Sequence, residues 1–423
     1  MIEMEPMPAG GITVRPAVAS RPTERHVLAL GLGIAALFVV AAGVVAATAL
    51  PFGGSPWAAL HLALVGAATV AIGTFMPHFA VTLAGTRPAP ATHRLAAILL
   101  LAAGALGVVA GMTVLGPGWT LAGSSLALAG LGLTAWHTFA PTRDPLARRH
   151  PIALLAYGLA LAELAIAMAI GAAAATGVPM VTAAWATLRP AHAWLALFGA
   201  VSLTIFATLV YLAPTVLGAR LRPSVPLAVG LFGVAAGPAV AAIGFALALR
   251  AIVIAGMAIT LMGALGQVAY ALDAHRRRGP FTTEHDWRRV VVGHLTAGTA
   301  WFAVASGAAL AGVIGGGPVA GWSIGVLAVP MVAGWLLQEL VGSWTHLVPS
   351  VTPGGPADHA VQRRALAHLS RSRLVAWNAG IGLAWAGLTL DQSPMTVAGA
   401  ILIAGTVAAS VVMLARSLTR ARY

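Results

Sequence analysis

The chain has no cysteine and no lysine, and only 8% of its 423 residues are charged. Without a thiol there are no disulfides, zinc–thiolate sites, iron–sulfur clusters or cysteine nucleophiles. Without lysine there is no Schiff base and no phosphate-loop lysine. Every basic residue is Arg, as the codon bias of a GC-rich genome would produce. The shortage of charge excludes an ordinary water-facing surface, because a soluble domain carries roughly 25% charged residues. What fills the chain instead is apolar: 59% is hydrophobic, so most of the surface must face lipid.

A helix needs about 20 apolar residues to cross the hydrocarbon core of a bilayer. Read with that window, the sequence predicts twelve spans, at 27–50, 56–83, 95–115, 119–140, 152–175, 191–217, 226–248, 251–272, 292–315, 321–345, 372–390 and 394–415. The apolar runs are continuous rather than alternating, which argues for helices and against a β-barrel. The expected fold is therefore an all-α, polytopic membrane helix bundle. Residues 1–25 read as a disordered tail, 26–416 as the bundle and 417–423 as a second tail. The polar start has no short apolar core with a cleavage site, so it does not read as a signal peptide.

The net charge of +13 would point to nucleic acid in a soluble protein. Here topology accounts for it, and no nucleic-acid partner is expected. With twelve spans, 22 of the 24 arginines fall on one side, and only Arg189 and Arg250 on the other. The positive-inside rule then places both termini in the cytoplasm of a multi-pass plasma-membrane protein.

A weak internal repeat accompanies these spans. His61-Leu-Ala-Leu-Val-Gly66 in the second parallels Trp194-Leu-Ala-Leu-Phe-Gly199 in the sixth, and the tenth carries Glu339-Leu-Val341. The three spans end near Pro77, Pro214 and Pro349. Spans four apart run in the same direction, so the pattern suggests three units of four helices; chance recurrence in so biased a composition is the alternative.

Ionisable residues at membrane depth are costly and mark functional positions. Glu163 lies centrally in the fifth span and Glu339 deep in the tenth, where they could carry a proton or an ion, or serve as protonated structural groups. Gln267, Gln338 and Asn378 are the main amides. His61 and His192 share a depth near the arginine-poor face. Imidazole is a good ligand for haem iron and copper, so this pair could hold haem b or copper, with Gly66 and Gly199 letting a flat macrocycle approach. The alternative is a pair of histidines bonded to carbonyls or lipid headgroups. His294 and His346, near the other face, could form a second metal site or serve as interfacial anchors, as His78 and His137 are expected to do. Gly315-Gly-Gly-Pro318 and Gly354-Gly-Pro356 are loop punctuation; neither follows a strand.

The run from His192 to Gly218, His-Ala-Trp-Leu-Ala-Leu-Phe-Gly-Ala-Val-Ser-Leu-Thr-Ile-Phe-Ala-Thr-Leu-Val-Tyr-Leu-Ala-Pro-Thr-Val-Leu-Gly, resembles a recurring segment of actinobacterial membrane proteins. Gln338-Glu-Leu-Val-Gly-Ser-Trp-Thr-His-Leu-Val-Pro349 resembles a second such segment. Those proteins often carry a multicopper-oxidase or copper nitrite-reductase domain after the bundle. More distantly, twelve helices in three groups of four with histidines on the second and sixth are similar to the haem-copper oxidase main subunit and to membrane haem-copper proteins of the nitric-oxide response. That subunit has a histidine cluster on its seventh helix and a pair on its tenth; here the seventh span has none and the tenth only His346. The resemblance therefore implies His61 as a low-spin haem ligand and His192 as a metal ligand. It also implies a part in a membrane oxidoreductase system, with a separate outer-side cupredoxin or multicopper protein as partner. A cofactor-free, proton- or ion-coupled permease using Glu163 and Glu339 is the alternative reading, and a scaffold for a partner complex a third.

Overall fold

A computed structural model describes residues 24–49, 55–144, 147, 151–279, 286–352 and 355–420. Most of the first predicted tail and the last three residues of the second lie outside them. The described residues are almost wholly helical and contain no strand. Twelve long helical rods occupy the twelve predicted spans: α1 (Glu24–Ala49), α2 (Trp57–Ala84), α3 (Ala91–Leu115), α4 (Pro117–Phe139), α5 (Pro151–Ala175), α6 (Trp185–Leu217), α7 (Val225–Ala246), α8 (Arg250–Arg276), α9 (Asp286–Ile314), α10 (Gly325–Ser350), α11 (Ser370–Thr389) and α12 (Ser393–Arg420). Short helices Pro179–Ala183 and Pro356–Ala367 lie in two connections.

Among the described residues, ten of the rods are both long and apolar enough to cross a membrane. The other two, α4 and α11, are more polar but have 23 and 20 residues, or about 30–35 Å of helix at 1.5 Å per residue. The whole is a polytopic helical bundle around one continuous core that draws on most of the rods.

Local chemistry sets the ends. Gly85 and Gly218 take left-handed backbone angles, φ 68° and 61°, and close α2 and α6, a conformation open to glycine at little cost. Pro117 and Pro151 sit at helix starts, where a missing N–H costs nothing. Ser224 caps α7 by accepting the Leu227 N–H at 3.3 Å.

Three four-helix units emerge from the packing. The second helix of each contains a π-helical stretch: Leu62–Ala68 in α2, Trp194–Val201 in α6 and Val329–Leu336 in α10. Each holds one glycine, Gly66, Gly199 or Gly334, that seats a side chain from the preceding helix: the Phe38 ring, the Glu163 carboxylate and the Trp301 indole respectively. A side chain about one turn on donates to a carbonyl of each widened turn: Thr69 to Val65 at 2.5 Å, Ser202 to Leu197 at 2.7 Å and Gln338 to Gly334 at 3.1 Å.

The third and fourth helices of each unit form a hairpin packed backbone to backbone. A Cβ on Gly111, Gly244 or Gly387 would strike the backbone of Thr120, Val253 or Thr396, each nine residues on. A Cβ on Gly123, Gly256 or Gly399 would strike Val108, Ala241 or Ala384, each fifteen residues back. Close approach at small residues is the main packing device within lipid, and the three hairpins share one register.

That register refines the sequence repeat. Gly66 matches Gly199 and Gly334, so the tenth span aligns through Pro330-Met-Val-Ala-Gly334 and not through Glu339-Leu-Val341. Pro214 and Pro349 each stand fifteen residues beyond their glycine, whereas Pro77 comes four residues early.

Candidate functional site

The fold brings His61 and His192 together. His61 ends the first α-helical stretch of α2, just before its π turn. Helix α6 begins at Trp185, six residues ahead of the predicted start, so His192 sits two turns inside it. The two imidazole rings lie with centroids 6.4 Å apart and planes 8° from parallel. His61 Nδ1 meets the carbonyl oxygen of Trp57 at 2.8 Å, and His192 Nδ1 meets that of Ala167, on α5, at 2.7 Å. A carbonyl only accepts, so Nδ1 carries the proton in each ring and Nε2 presents a lone pair. Hydrogen bonds of this kind orient histidines that bind metals. Neither Nε2 has a hydrogen-bond partner among the described residues. Trp57 stacks on His61 with centroids 4.0 Å apart, and Trp185 lies 6.4 Å from His192.

The glycines expected to admit a macrocycle do something else. Gly66 faces the Phe38 ring and Gly199 the Glu163 carboxylate, so both positions are filled by the protein. A glycine that borders His192 is Gly171 on α5, whose Cβ would stand 3.0 Å from His192 Cε1. Gly171 carries no mark in the sequence, because nothing in a Gly/Ala-rich helix distinguishes a glycine that faces a ring from one that faces lipid.

Glu163 is buried, 7% exposed, with Oε2 lacking any hydrogen-bond partner. It lies eight residues from Gly171 on α5, about 12 Å farther along the helix. Glu339 is more deeply buried, at 1%. Its Oε1 is 3.5 Å from the Thr299 hydroxyl, and its Oε2 has no partner. The fold does not join the two carboxylates by any hydrogen bond.

The expectation of an interfacial anchor fails for His294, which is fully buried. Its Nδ1 bonds Gln338 Oε1 at 3.1 Å, and its ring packs edge-on to Trp377. Gln338 continues to Asn378 Oδ1 at 3.1 Å, and Trp301 Nε1 donates to the same oxygen at 2.7 Å. This chain of polar groups ties α9, α10 and α11 together. His294 Nε2 is buried with no partner. No hydrogen bond or ring contact joins His294 to His346. Among the described residues no three His, Asp or Glu side chains converge as a metal held by protein alone would need.

His78 is likewise no simple anchor. Its Nδ1 bonds Glu24 Oε1 at 2.9 Å, and the other oxygen of that carboxylate pairs with Arg94. His137 is buried in α4. The pairing of Glu24 with Arg94 was not read from the sequence, since seventy residues separate them. Comparison of the sequence with protein-family profiles and with curated proteins finds no match to either.

Proposed function

We propose that this multi-pass membrane protein is an electron-transfer component that holds haem b or copper between His61 and His192, near the arginine-poor, outer face. The observation that supports it most is the pairing of two near-parallel imidazoles whose Nε2 atoms have no hydrogen-bond partner among the described residues. His61 Nε2 and His192 Nε2 would be the atoms to hold a metal between these rings, whose centroids stand 6.4 Å apart. Two protein ligands suffice for haem iron, whose macrocycle provides the other four, and for copper(I), which accepts few; imidazole suits both. Bound there, either supplies a one-electron couple. The chain's own part is to fix both rings by their Nδ1–H bonds and to cover His61 with Trp57. A separate outer-side cupredoxin or multicopper protein is the matching electron partner, and both termini are then cytoplasmic.

The test is an absorption spectrum of detergent-purified protein, oxidised and after dithionite, with metal analysis of the same sample. His61→Ala and His192→Ala are each expected to remove the pigment or metal while leaving a monodisperse protein. Full occupancy in the double variant would sink the assignment.

A second reading rests on a different observation: Glu163 and Glu339 each bury a carboxylate oxygen without a hydrogen bond. Such groups are proton or ion carriers in permeases. If the protein is colourless and metal-free, we expect proton- or ion-coupled uptake in vesicles that falls by at least about tenfold in Glu163→Gln. Unchanged coupled uptake in that variant would remove Glu163 from the pathway.

A further inference from the structure

A groove runs along the bundle between α1, α10, α11 and α12. Apolar side chains wall it, among them Val39, Leu337, Val407 and Leu414, and Arg373 lines it at the N-terminal end of α11. Arg373 is 6% exposed. One guanidinium nitrogen donates to the Ser410 hydroxyl at 3.2 Å and another to the Leu366 carbonyl at 2.6 Å. Its Nε is buried and has no partner. No carboxylate of the described residues pairs with it.

A buried cation with only neutral acceptors lacks what normally makes burial tolerable, an opposite charge in contact. The walls say which anion fits. Leu337 to Thr345 on α10 and Val407 to Leu414 on α12 both line the groove; at 1.5 Å per residue each stretch makes about 10–12 Å of wall. A small aqueous anion gains nothing from that length of apolar surface. An amphiphile with an anionic head and an acyl chain gains from both ends. Val407 and Val411 are only partly buried, so the groove opens on the bundle surface, which faces lipid. The nearby helix ends carry Arg363, Arg364, Arg371 and Arg416, which would concentrate anionic headgroups at this face.

We propose that this groove binds one anionic phospholipid from the leaflet on the arginine-rich face, its phosphate on the Arg373 guanidinium and an acyl chain between α10 and α12. The site is separate from the histidine pair and does not depend on what that pair binds.

The experiment is native mass spectrometry of the delipidated full chain in neutral detergent. It is titrated with phosphatidylglycerol, with phosphatidylcholine of the same chain length, and with inorganic phosphate. One phosphatidylglycerol is expected to bind about tenfold more tightly than phosphatidylcholine. Arg373→Gln should erase that preference. Val411→Trp, which fills the apolar wall at a partly exposed position and leaves the guanidinium in place, should weaken phosphatidylglycerol binding and keeps the test open if Arg373→Gln does not fold. Equal binding of the two lipids by the wild type, or a preference that survives both substitutions, overturns the proposal. Inorganic phosphate that competes with phosphatidylglycerol at equal concentration would make this a free-anion site and overturn the lipid assignment.

Discussion

Glu24→Gln is expected to lower stability by about 1–3 kcal/mol, the cost of leaving a buried donor poorly satisfied, since Arg94 is buried while Glu24 is 29% exposed. Arg94 is 2% exposed, and its guanidinium meets Glu24 and, at 3.2 Å, the Thr74 carbonyl. Its Nε is already without a partner. Take away the carboxylate charge and a buried cation is left on a neutral amide and a carbonyl. Glu24 also sits in the first turn of α1, where a negative charge opposes the helix dipole favourably, and it accepts from or pairs with His78. The same substitution therefore loosens α1, α2 and α3 together. Thermal unfolding in mild detergent measures the loss. Glu24→Leu combined with Arg94→Met is expected to recover most of it, because no unpaired charge remains. A double variant as unstable as Glu24→Gln would mean that packing, and not the charge, accounts for the effect.

Gly256→Val is expected to disrupt the α7–α8 hairpin at a cost of at least 1–3 kcal/mol, the range of about the ordinary overpacked core. The new Cβ would overlap the backbone nitrogen of Ala241 and stand 2.6 Å from its Cα. Backbone cannot rotate away as a side chain would, so the helices must part. Within lipid their association rests on close packing and not on exclusion of water. Gly123→Val and Gly399→Val make the same collision in the other two units and should cost similar amounts. Gly33→Ala, Gly43→Ala and Gly405→Ala meet nothing within 4 Å and should be neutral or slightly stabilising, since alanine favours helix. Size-exclusion profiles and unfolding midpoints of the six variants test the shared register. If the three hairpin substitutions behave like the three controls, the packing is wrong.

Some of the candidate site was legible before the fold was known. His61, His192, Glu163 and Glu339 stand out in sequence because ionisable groups are so scarce at membrane depth. Their surroundings did not. Gly66 and Gly199 looked like openings beside the histidines, and they are seats for Phe38 and Glu163. His294 looked like half of a second metal site or an interfacial anchor, and it is fully buried on Gln338. A histidine near the end of an apolar run reads the same whether its helix face points at lipid headgroups or at a neighbouring helix.

By itself the sequence determined the membrane class, the all-helical bundle and the places of the twelve rods. Lipid requires every backbone group to be bonded within the segment, so length and apolarity alone define a span. It also hinted at the three units through Leu-Ala-Leu-x-Gly. Only the tertiary structure decided the register of those units, the π turns, the facing of His61 and His192, and the Glu24–Arg94 and Arg373 environments. These depend on which side of each helix meets a neighbour. Helices that are apolar all round carry almost no record of that choice, because nearly every face could be turned inward.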